Sequence, residues 1–187
     1  MNKYKKISTE PIHSTDWWTC KKDVYELPDG TTGEYFYGET RGHAMVIPVA
    51  DDGRLILVMH HRYLADKLGV EFPSGGLLEN EQPNEAASRE LLEETGYKTS
   101  NFIKIGTFES LTGLFKDPTH LFVAPELSKV NEPTTDDTEK LEVIYRRPDE
   151  FDQMIVRGEV WDGQTLAAWA LAKDFLFKSL NVETTTT

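Results

Sequence analysis

Residues 75–97 read GGLLENEQPNEAASRELLEETGY, and this stretch decides the fold. Pro83 suits the first turn of a helix, and Gly96 suits the residue that ends one. The apolar residues between them recur at helical spacing and form one stripe of Ala86, Ala87, Leu91 and Leu92. The pattern predicts a helix over about 83–94.

Three glutamates give this helix a second, polar face. Glu90, Glu93 and Glu94 lie at i, i+3 and i+4, so their carboxylates project from the same side. Like charges at this spacing repel by roughly 0.2–0.5 kcal/mol per pair. A divalent cation would offset that repulsion, because carboxylate oxygens are ligands that Mg²⁺ accepts. The alternative, for the glutamates taken alone, is a solvated acidic face.

The whole stretch resembles the Nudix box, G-x5-E-x7-R-E-U-x-E-E-x-G-U, where U is apolar. Gly75, Glu81, Arg89 and Gly96 occupy fixed positions of that motif together with the three glutamates, and the last U position holds Tyr97. At about 6% usage per residue type, seven such matches coincide by chance at fewer than roughly one start in a hundred million. The motif therefore favours a metal site over a solvated face.

A wider resemblance points to the ADP-ribose and nucleotide-sugar pyrophosphatase branch of the Nudix family; it covers 33–50, 55–63, 71–76 and 120–124. It implies an α/β fold, with a mixed β-sheet sandwiched between α-helices and a small N-terminal antiparallel β-ribbon exchanged across a homodimer. We accordingly expect a ribbon at 1–40, a hydrolase domain at 41–182 and a disordered tail at 183–187.

The strand pattern fits this division. Strand formers at 17–27 and 34–37 flank the turn Pro28-Asp29-Gly30, which predicts the ribbon. The turn Asp51-Asp52-Gly53 predicts a hairpin between strands at 44–49 and 54–59. Later strands are expected at 102–108, 119–124 and 141–145, a short helix from Pro148, and a helix over 163–180 that buries Leu166, Trp169, Ala170, Leu176 and Phe177.

The resemblance also implies roles by position. Glu90 and Glu94 would bind metal directly, and Glu93 would do so directly or through water. Ser74 stands where a backbone carbonyl completes the metal shell. The implied cofactor is Mg²⁺, which Mn²⁺ could replace.

Catalytic roles follow from the same alignment of motifs. Arg89 would fix the carboxylates by charge-assisted hydrogen bonds, and Glu81 would be an outer metal ligand or a brace for the loop. Arg89 and Glu93 are counted with the catalytic residues. The general base in this branch is a glutamate on a loop before a late strand. Glu139 is the leading candidate, with Asp136 and Asp137 as alternatives.

Two arginines resemble substrate-binding positions of the branch. Arg41 and Arg62 would hold the nucleotide or its phosphates, because a planar guanidinium donates two parallel hydrogen bonds; pairing with a neighbouring acid is the alternative for each. Trp17 and Trp18 could stack a base, although ribbon core is the more common use of such rings. The stretch 109–115 lacks the proline usual in ADP-ribose members, so GDP-mannose or a similar nucleotide sugar is an equally open substrate.

Composition excludes several other classes. The formal net charge is −12, without a dense Lys/Arg run, so we expect no nucleic-acid partner. No apolar run approaches the length of a membrane span, so we expect no membrane partner. The single Cys20 allows no intrachain disulfide, and no signal core follows Met1, so we expect a cytoplasmic protein.

Two rival functions stay open at the level of sequence. One is a sensor that binds a nucleotide sugar without cleaving it; the intact set of box glutamates argues against it. The other is a pyrophosphatase that removes damaged nucleoside triphosphates. The N-terminal ribbon and the length of 187 residues argue against that one, because the minimal Nudix domain is shorter.

Overall fold

The fold is described by a computed structural model that covers residues 4–134 and 140–179. The expected tail at 183–187 lies outside the described residues. The strands are β1 (Lys5–Ser14), β2 (Thr19–Glu26), β3 (Thr32–Glu39), β4 (His43–Pro48), β5 (Leu55–Arg62), β6 (Lys67–Glu71), β7 (Ser74–Gly76), β8 (Tyr97–Lys98), β9 (Ile103–Glu109), β10 (Phe115–Lys116), β11 (Pro118–Ala124), β12 (Ser128–Lys129) and β13 (Leu141–Arg146). The helices are α1 (Pro83–Thr95), α2 (Pro148–Val156) and α3 (Gly163–Ser179), with a 3₁₀ turn at Tyr63–Ala65.

The central sheet is mixed and is covered on both faces. Its strand order is β7-β4-β11-β9, with β4 and β11 parallel and the other pairs antiparallel. Ala44 and Val46 of β4 face α1, whereas Met45 and Ile47 face the larger core on the other side. Because side chains alternate along a strand, a strand covered on both faces needs an unbroken apolar run. The expected α/β fold with a sheet between helices is confirmed.

The larger core joins the central sheet to a second sheet and to the last two helices. The second sheet has the order β13-β5-β6 and is antiparallel throughout. Phe72, just after β6, is fully buried and packs against Phe151 of α2 and Trp169 of α3, with ring centroids 5.1 and 6.4 Å away. This aromatic group fixes the chain immediately before β7.

Helix α1 begins and ends as the sequence predicts. Pro83 occupies its first turn, and the side chain of Glu85 accepts a hydrogen bond from the backbone N–H of Gln82 at 2.9 Å. Gly96 ends the helix with φ +73°, a left-handed conformation that suits glycine, and its N–H donates to the carbonyl of Leu92 at 2.8 Å. The helix therefore has fixed ends, which fix the side chains on its polar face.

The N-terminal ribbon has one strand more than the pattern predicts. Strands β1, β2 and β3 form an antiparallel sheet, and the short β10 extends it by pairing parallel to β3. All ten residues of β1 are exposed, including Ile7 and Ile12, which are 54% and 52% exposed. The few charges and the isolated apolar residues of β1 resemble a solvated segment, so the sequence alone did not reveal this strand.

Two sequence predictions about local structure are wrong, and the predicted hairpin forms only next to its turn. The N–H of Gly53 bonds to the carbonyl of Ala50 at 2.8 Å and Val49 pairs antiparallel with Leu55, but beyond this pair β4 and β5 belong to different sheets. Trp17 and Trp18 precede β2 in a turn, and Trp17 is 74% exposed rather than ribbon core. On α3, Ala170 is exposed, whereas Ala168 and Ala172 are buried beside Trp169 and Leu176.

No helix in the described ranges combines the length and the apolar character that a bilayer crossing requires.

Candidate active site

The guanidinium of Arg89 organises the acidic face of α1. Its Nε and Nη2 donate to the two carboxylate oxygens of Glu81 at 2.8 and 2.9 Å. Its Nη1 donates to Glu90 at 2.5 Å and to Glu93 at 3.2 Å, and Nη2 also reaches the carbonyl of Gly76 at 3.1 Å. One cation therefore connects three carboxylates with the loop that precedes the helix.

The loop before α1 lies directly against the helix. The backbone N–H of Ser74 donates to Oε2 of Glu94 at 3.0 Å. A Cβ at Gly75 would overlap the carboxylate of Glu90, so only glycine allows the loop to approach this closely. Two carboxylates of α1 consequently lie beside two consecutive backbone units of β7.

Ion pairing favours the charged forms of Glu81 and Arg89. The hydrogen bond from Arg89 lowers the pKa of Glu81 below its ordinary value, and the backbone N–H of Leu78, 2.9 Å away, lowers it further. The hydrogen bonds with Glu81 and the charge of Glu90 raise the pKa of Arg89. Glu81 therefore braces the loop in this structure, which is one of the two roles considered for it.

The chemistry of the cluster suits a hard divalent cation, since its donors are carboxylate and carbonyl oxygens. Within residues 4–134 and 140–179, however, no three His, Cys, Asp or Glu side chains are gathered closely enough to hold a metal ion. Arg89 contacts both Glu90 and Glu93. The donors are thus present on one face, and Arg89 occupies the space between two of them.

A second ion-paired group lies on β5 and β6. Nε of Arg62 donates to Oε1 of Glu71 at 2.9 Å, and Nη2 donates to the other oxygen. Nε2 of His60 lies 3.4 Å from the same carboxylate. Burial would raise the pKa of Glu71, but the hydrogen bonds from Arg62 and the nearby ring of His60 outweigh this effect and lower the pKa from 4.5 to about 2. Glu71 is therefore a buried carboxylate that stays ionised.

A cleft of about 320 Å³ lies between the ribbon and the loop before α1. It is lined by Trp17, Trp18, Thr40, Arg41, Gly42, His43, Gly76, Leu77, Phe115 and Asp117. Arg41 donates to the carbonyl of Asp16 at 3.1 Å, and Asp117 accepts bonds from Thr40 and from Nδ1 of His43, the latter at 2.8 Å. Aromatic rings, a cation and an acceptor therefore surround one opening beside Gly76.

The structure brings most of the predicted site residues together. Glu81, Arg89, Glu90 and Glu93 form one hydrogen-bonded group, Ser74 binds Glu94 beside it, and Arg41 lies at the neighbouring cleft. Arg62 lies on β5 and is paired with Glu71, the partner that the sequence did not identify. Glu139, Asp136 and Asp137 lie outside the described residues.

Sequence reasoning missed Glu71 and Asp117. Glu71 lies between Val70 and Phe72, which are both buried. A charged residue within such an apolar stretch indicates a buried ion pair, because a buried carboxylate needs a partner. Asp117 had no comparable signal, because its partners Thr40 and His43 lie more than seventy residues earlier in the chain.

Comparison with known proteins gives consistent results. A family model described as NUDIX domain matches residues 39–169. The ADP-ribose pyrophosphatase of Bacillus subtilis (strain 168) is 32% identical over 165 residues, 88% of this chain and 89% of that protein. The GDP-mannose pyrophosphatase of Klebsiella pneumoniae is 26% identical over 174 residues, 86% and 87% of the two chains. A solved structure of an ADP compounds hydrolase shares the fold, with a TM-score of 0.80, 20% identity and coverage of 94% and 95%.

The ion pair of Glu71 predicts how acid affects stability. Its pKa is lower in the folded chain than the ordinary 4.5, so its stabilising effect is complete above that value and is lost as the pH falls toward about 2. The shift corresponds to about 3 kcal/mol. Urea unfolding measured at several pH values should show a steeper loss between pH 4.5 and 2 for the wild type than for Glu71→Gln. The control Glu142→Gln, at an exposed site, should keep the wild-type slope.

Proposed function

Because the chain belongs to the Nudix family, we propose that it hydrolyses the diphosphate of a nucleoside diphosphate sugar. Water would add across the P–O–P linkage to release a nucleoside monophosphate and a sugar phosphate. The observation that carries the proposal is the glutamate cluster held by Arg89 beside an aromatic cleft. The cluster supplies the acid groups for a cation, and the cleft supplies space for a nucleoside.

Nudix hydrolases generally use divalent metal ions, and we propose Mg²⁺ here, with Mn²⁺ able to replace it. Glu90, Glu94, Glu93 and the carbonyl of Ser74 would hold the ion, with Glu81 as an outer group. A bound divalent ion would neutralise part of the charge on the diphosphate and so favour attack on phosphorus. The hydrogen bond from the N–H of Ser74 supports this assignment, because it holds the carboxylate of Glu94 beside the residue whose carbonyl would bind the ion.

The protein's own groups would handle the attacking water. A general base must take its proton, and we propose Glu139, with Asp136 and Asp137 as alternatives. The described flanks of this segment support the choice: the N–H of Thr134 donates to the carbonyl of Glu93 at 2.8 Å, and Leu141 pairs with His60. The segment thus follows a residue that is bonded to α1 and precedes β13, which pairs with the strand that carries Arg62.

The cleft beside the cluster favours a nucleoside as the group that is held. The rings of Trp17 and Trp18 could cover a base, and Arg41 could donate to a phosphate. Relatives named for ADP-ribose and for GDP-mannose cover similar shares of this chain, at 32% and 26% identity. We therefore propose ADP-ribose first and GDP-mannose second.

The exposed ribbon supports a homodimer. Ile7 and Ile12 on β1, Trp17 and Phe36 are all more than half exposed, which is costly for a small sheet in water. We propose that residues 1–40 pack against a second copy of the chain, and that residues 41–182 form the hydrolase domain. The free thiol of Cys20 suits a reducing compartment, for which we propose the cytoplasm.

A substrate panel tests the reaction. With Mg²⁺, the wild type should release monophosphate from ADP-ribose or GDP-mannose and act at least tenfold more slowly on 8-oxo-dGTP. Glu94→Gln should lose activity by about three orders of magnitude, because the amide removes the charge and keeps the size. Glu85→Gln on the same helix should remain active. Binding of nucleotide sugars without turnover by the wild type would instead indicate a sensor.

The position of Arg41 at the cleft predicts that its loss weakens substrate binding. Arg41→Ala should raise KM for the preferred substrate by about tenfold and leave kcat within about threefold, since a contact made equally in ground and transition states affects KM. Steady-state kinetics measures both. Arg157→Ala, an exposed arginine paired with Glu159, is the matched control and should behave as the wild type. An unchanged KM in Arg41→Ala would contradict the assignment.

The proposed homodimer predicts the molecular mass of the protein in solution. Light scattering after size exclusion should give twice the chain mass of 21.3 kDa. A double change, Ile12→Asp with Phe36→Asp, should shift the mass to that of one chain, because buried carboxylates would be unpaired in the interface. The control Val156→Asp changes an apolar residue that is 80% exposed on α2 and should remain dimeric. A monomeric wild type would refute the proposed dimer.

A further inference from the structure

Glu71 is an unusual core residue because its carboxylate is ionised although its side chain is only 2% exposed. Val70 and Phe72 on either side of it are both buried. A buried charge is costly unless it is paired, and here Arg62 provides the pairing, with the ring of His60 3.4 Å from the same carboxylate. An apolar side chain would fill the position without that cost, so the charge calls for a functional explanation.

The carboxylate also occupies a place that the strand leaves open for it. A Cβ at Gly69, two residues earlier on the same face of β6, would lie 2.6 Å from Oε1 of Glu71. His60 of β5 pairs with Gly69, and its Nε2 lies 3.4 Å from the same oxygen of Glu71. The glycine therefore allows Glu71 to reach back along the strand toward Arg62.

Within the described residues, the hydrogen bonds of the Arg62 side chain go to Glu71. These bonds use Nε and Nη2, and neither uses Nη1. The side chain of Arg62 is 47% exposed, whereas that of Glu71 is 2% exposed. Glu71 is thus the buried partner of the pair, and the arginine side chain is partly open to solvent.

The guanidinium of Arg62 lies within electrostatic range of the glutamate cluster. The bond with Glu71 is the main reason that the pKa of Arg62 is raised, and the charges of Asp162 and Glu94 add to it. Glu71 lies three residues before Ser74, whose N–H binds Glu94. Three extended residues span at most about 10 Å. The anchor of Arg62 and the anchor of Glu94 therefore belong to one short segment of chain.

We infer that Glu71 is a positioning residue that fixes the guanidinium of Arg62, so that its Nη1 edge meets an oxygen of the diphosphate held at the glutamate cluster. The inference rests on the proposed function. Because Nε and Nη2 of Arg62 bind Glu71, a ligand would approach from the side of Nη1. The pairing also restricts the rotamers of the Arg62 side chain before a ligand binds. Without Glu71, Arg62 would be drawn toward Glu94 or Asp162, the other carboxylates that act on it.

The test is a double-mutant cycle on the full-length chain with ADP-ribose or GDP-mannose, whichever the wild type prefers. Glu71→Gln should raise KM about tenfold and change kcat by less than about threefold. Arg62→Ala should raise KM at least as much. The double variant should be no worse than Arg62→Ala alone, because Glu71 acts only through the arginine.

Two further variants separate positioning from folding. Arg62→Lys keeps a positive charge against Glu71 but lacks the planar fork, so it should unfold near the wild-type temperature and still show a raised KM. Asp52→Asn is the control. It removes the carboxylate from another arginine–carboxylate pair, that of Asp52 with Arg54 just before β5, and should leave KM unchanged. Thermal unfolding of every variant accompanies the kinetics.

The outcomes are distinct. The positioning role would be overturned if Glu71→Gln raised KM as much in the Arg62→Ala background as it does in the wild type. It would also be overturned by an unchanged KM in Glu71→Gln or Arg62→Lys. In either case the proposed function stands. A wild type that cleaves no nucleotide sugar would overturn both. Raised KM in Glu71→Gln and Arg62→Lys with no additivity supports the inference.

Discussion

The arrangement of this protein depends on one guanidinium that holds together carboxylates which would otherwise repel. Arg89 joins Glu90 and Glu93 on its own helix to Glu81 on the preceding loop. The bond to the carbonyl of Gly76 adds the backbone of β7 to the same group. Because each of these bonds is charge-assisted, the loop and the helix behave as one unit. The polar face of α1 is thereby set against β7 before any ligand arrives.

The rest of the fold explains why that unit is stationary. The apolar face of α1 packs on Ala44 and Val46, and the opposite face of the same strand packs into the larger core. Phe72 anchors the chain just before Ser74. The helix and the strand that carry the acidic groups are therefore each fixed by burial on the side away from the site, and the carboxylates lie against the loop backbone.

The sequence predicted those parts of the molecule in which local pattern and tertiary structure agree. The bounds of α1, its capping residues and the family followed from residues 75–97, because spacing there is dictated by a single helix. The separation of β4 and β5 into different sheets did not follow, because a turn signal does not specify which strand becomes the partner. The partner of Arg62 was missed for the same reason: Glu71 lies nine residues away on a neighbouring strand.

The balance of charge explains why the site requires a cation and two differently held arginines. Within the part of the chain that the structure describes, five glutamates, at positions 71, 81, 90, 93 and 94, lie near two arginines, Arg62 and Arg89, so the region is acidic before a ligand enters. A diphosphate brings further negative charge, and burying it beside these carboxylates unaided would be unfavourable. Arg89 uses all three of its nitrogens on the protein and has none to spare for a ligand, whereas the bonds of Arg62 to Glu71 leave Nη1 for one. Arg89 therefore holds the carboxylates together, whereas Arg62 can bind the diphosphate once a divalent ion has reduced the negative charge of that diphosphate.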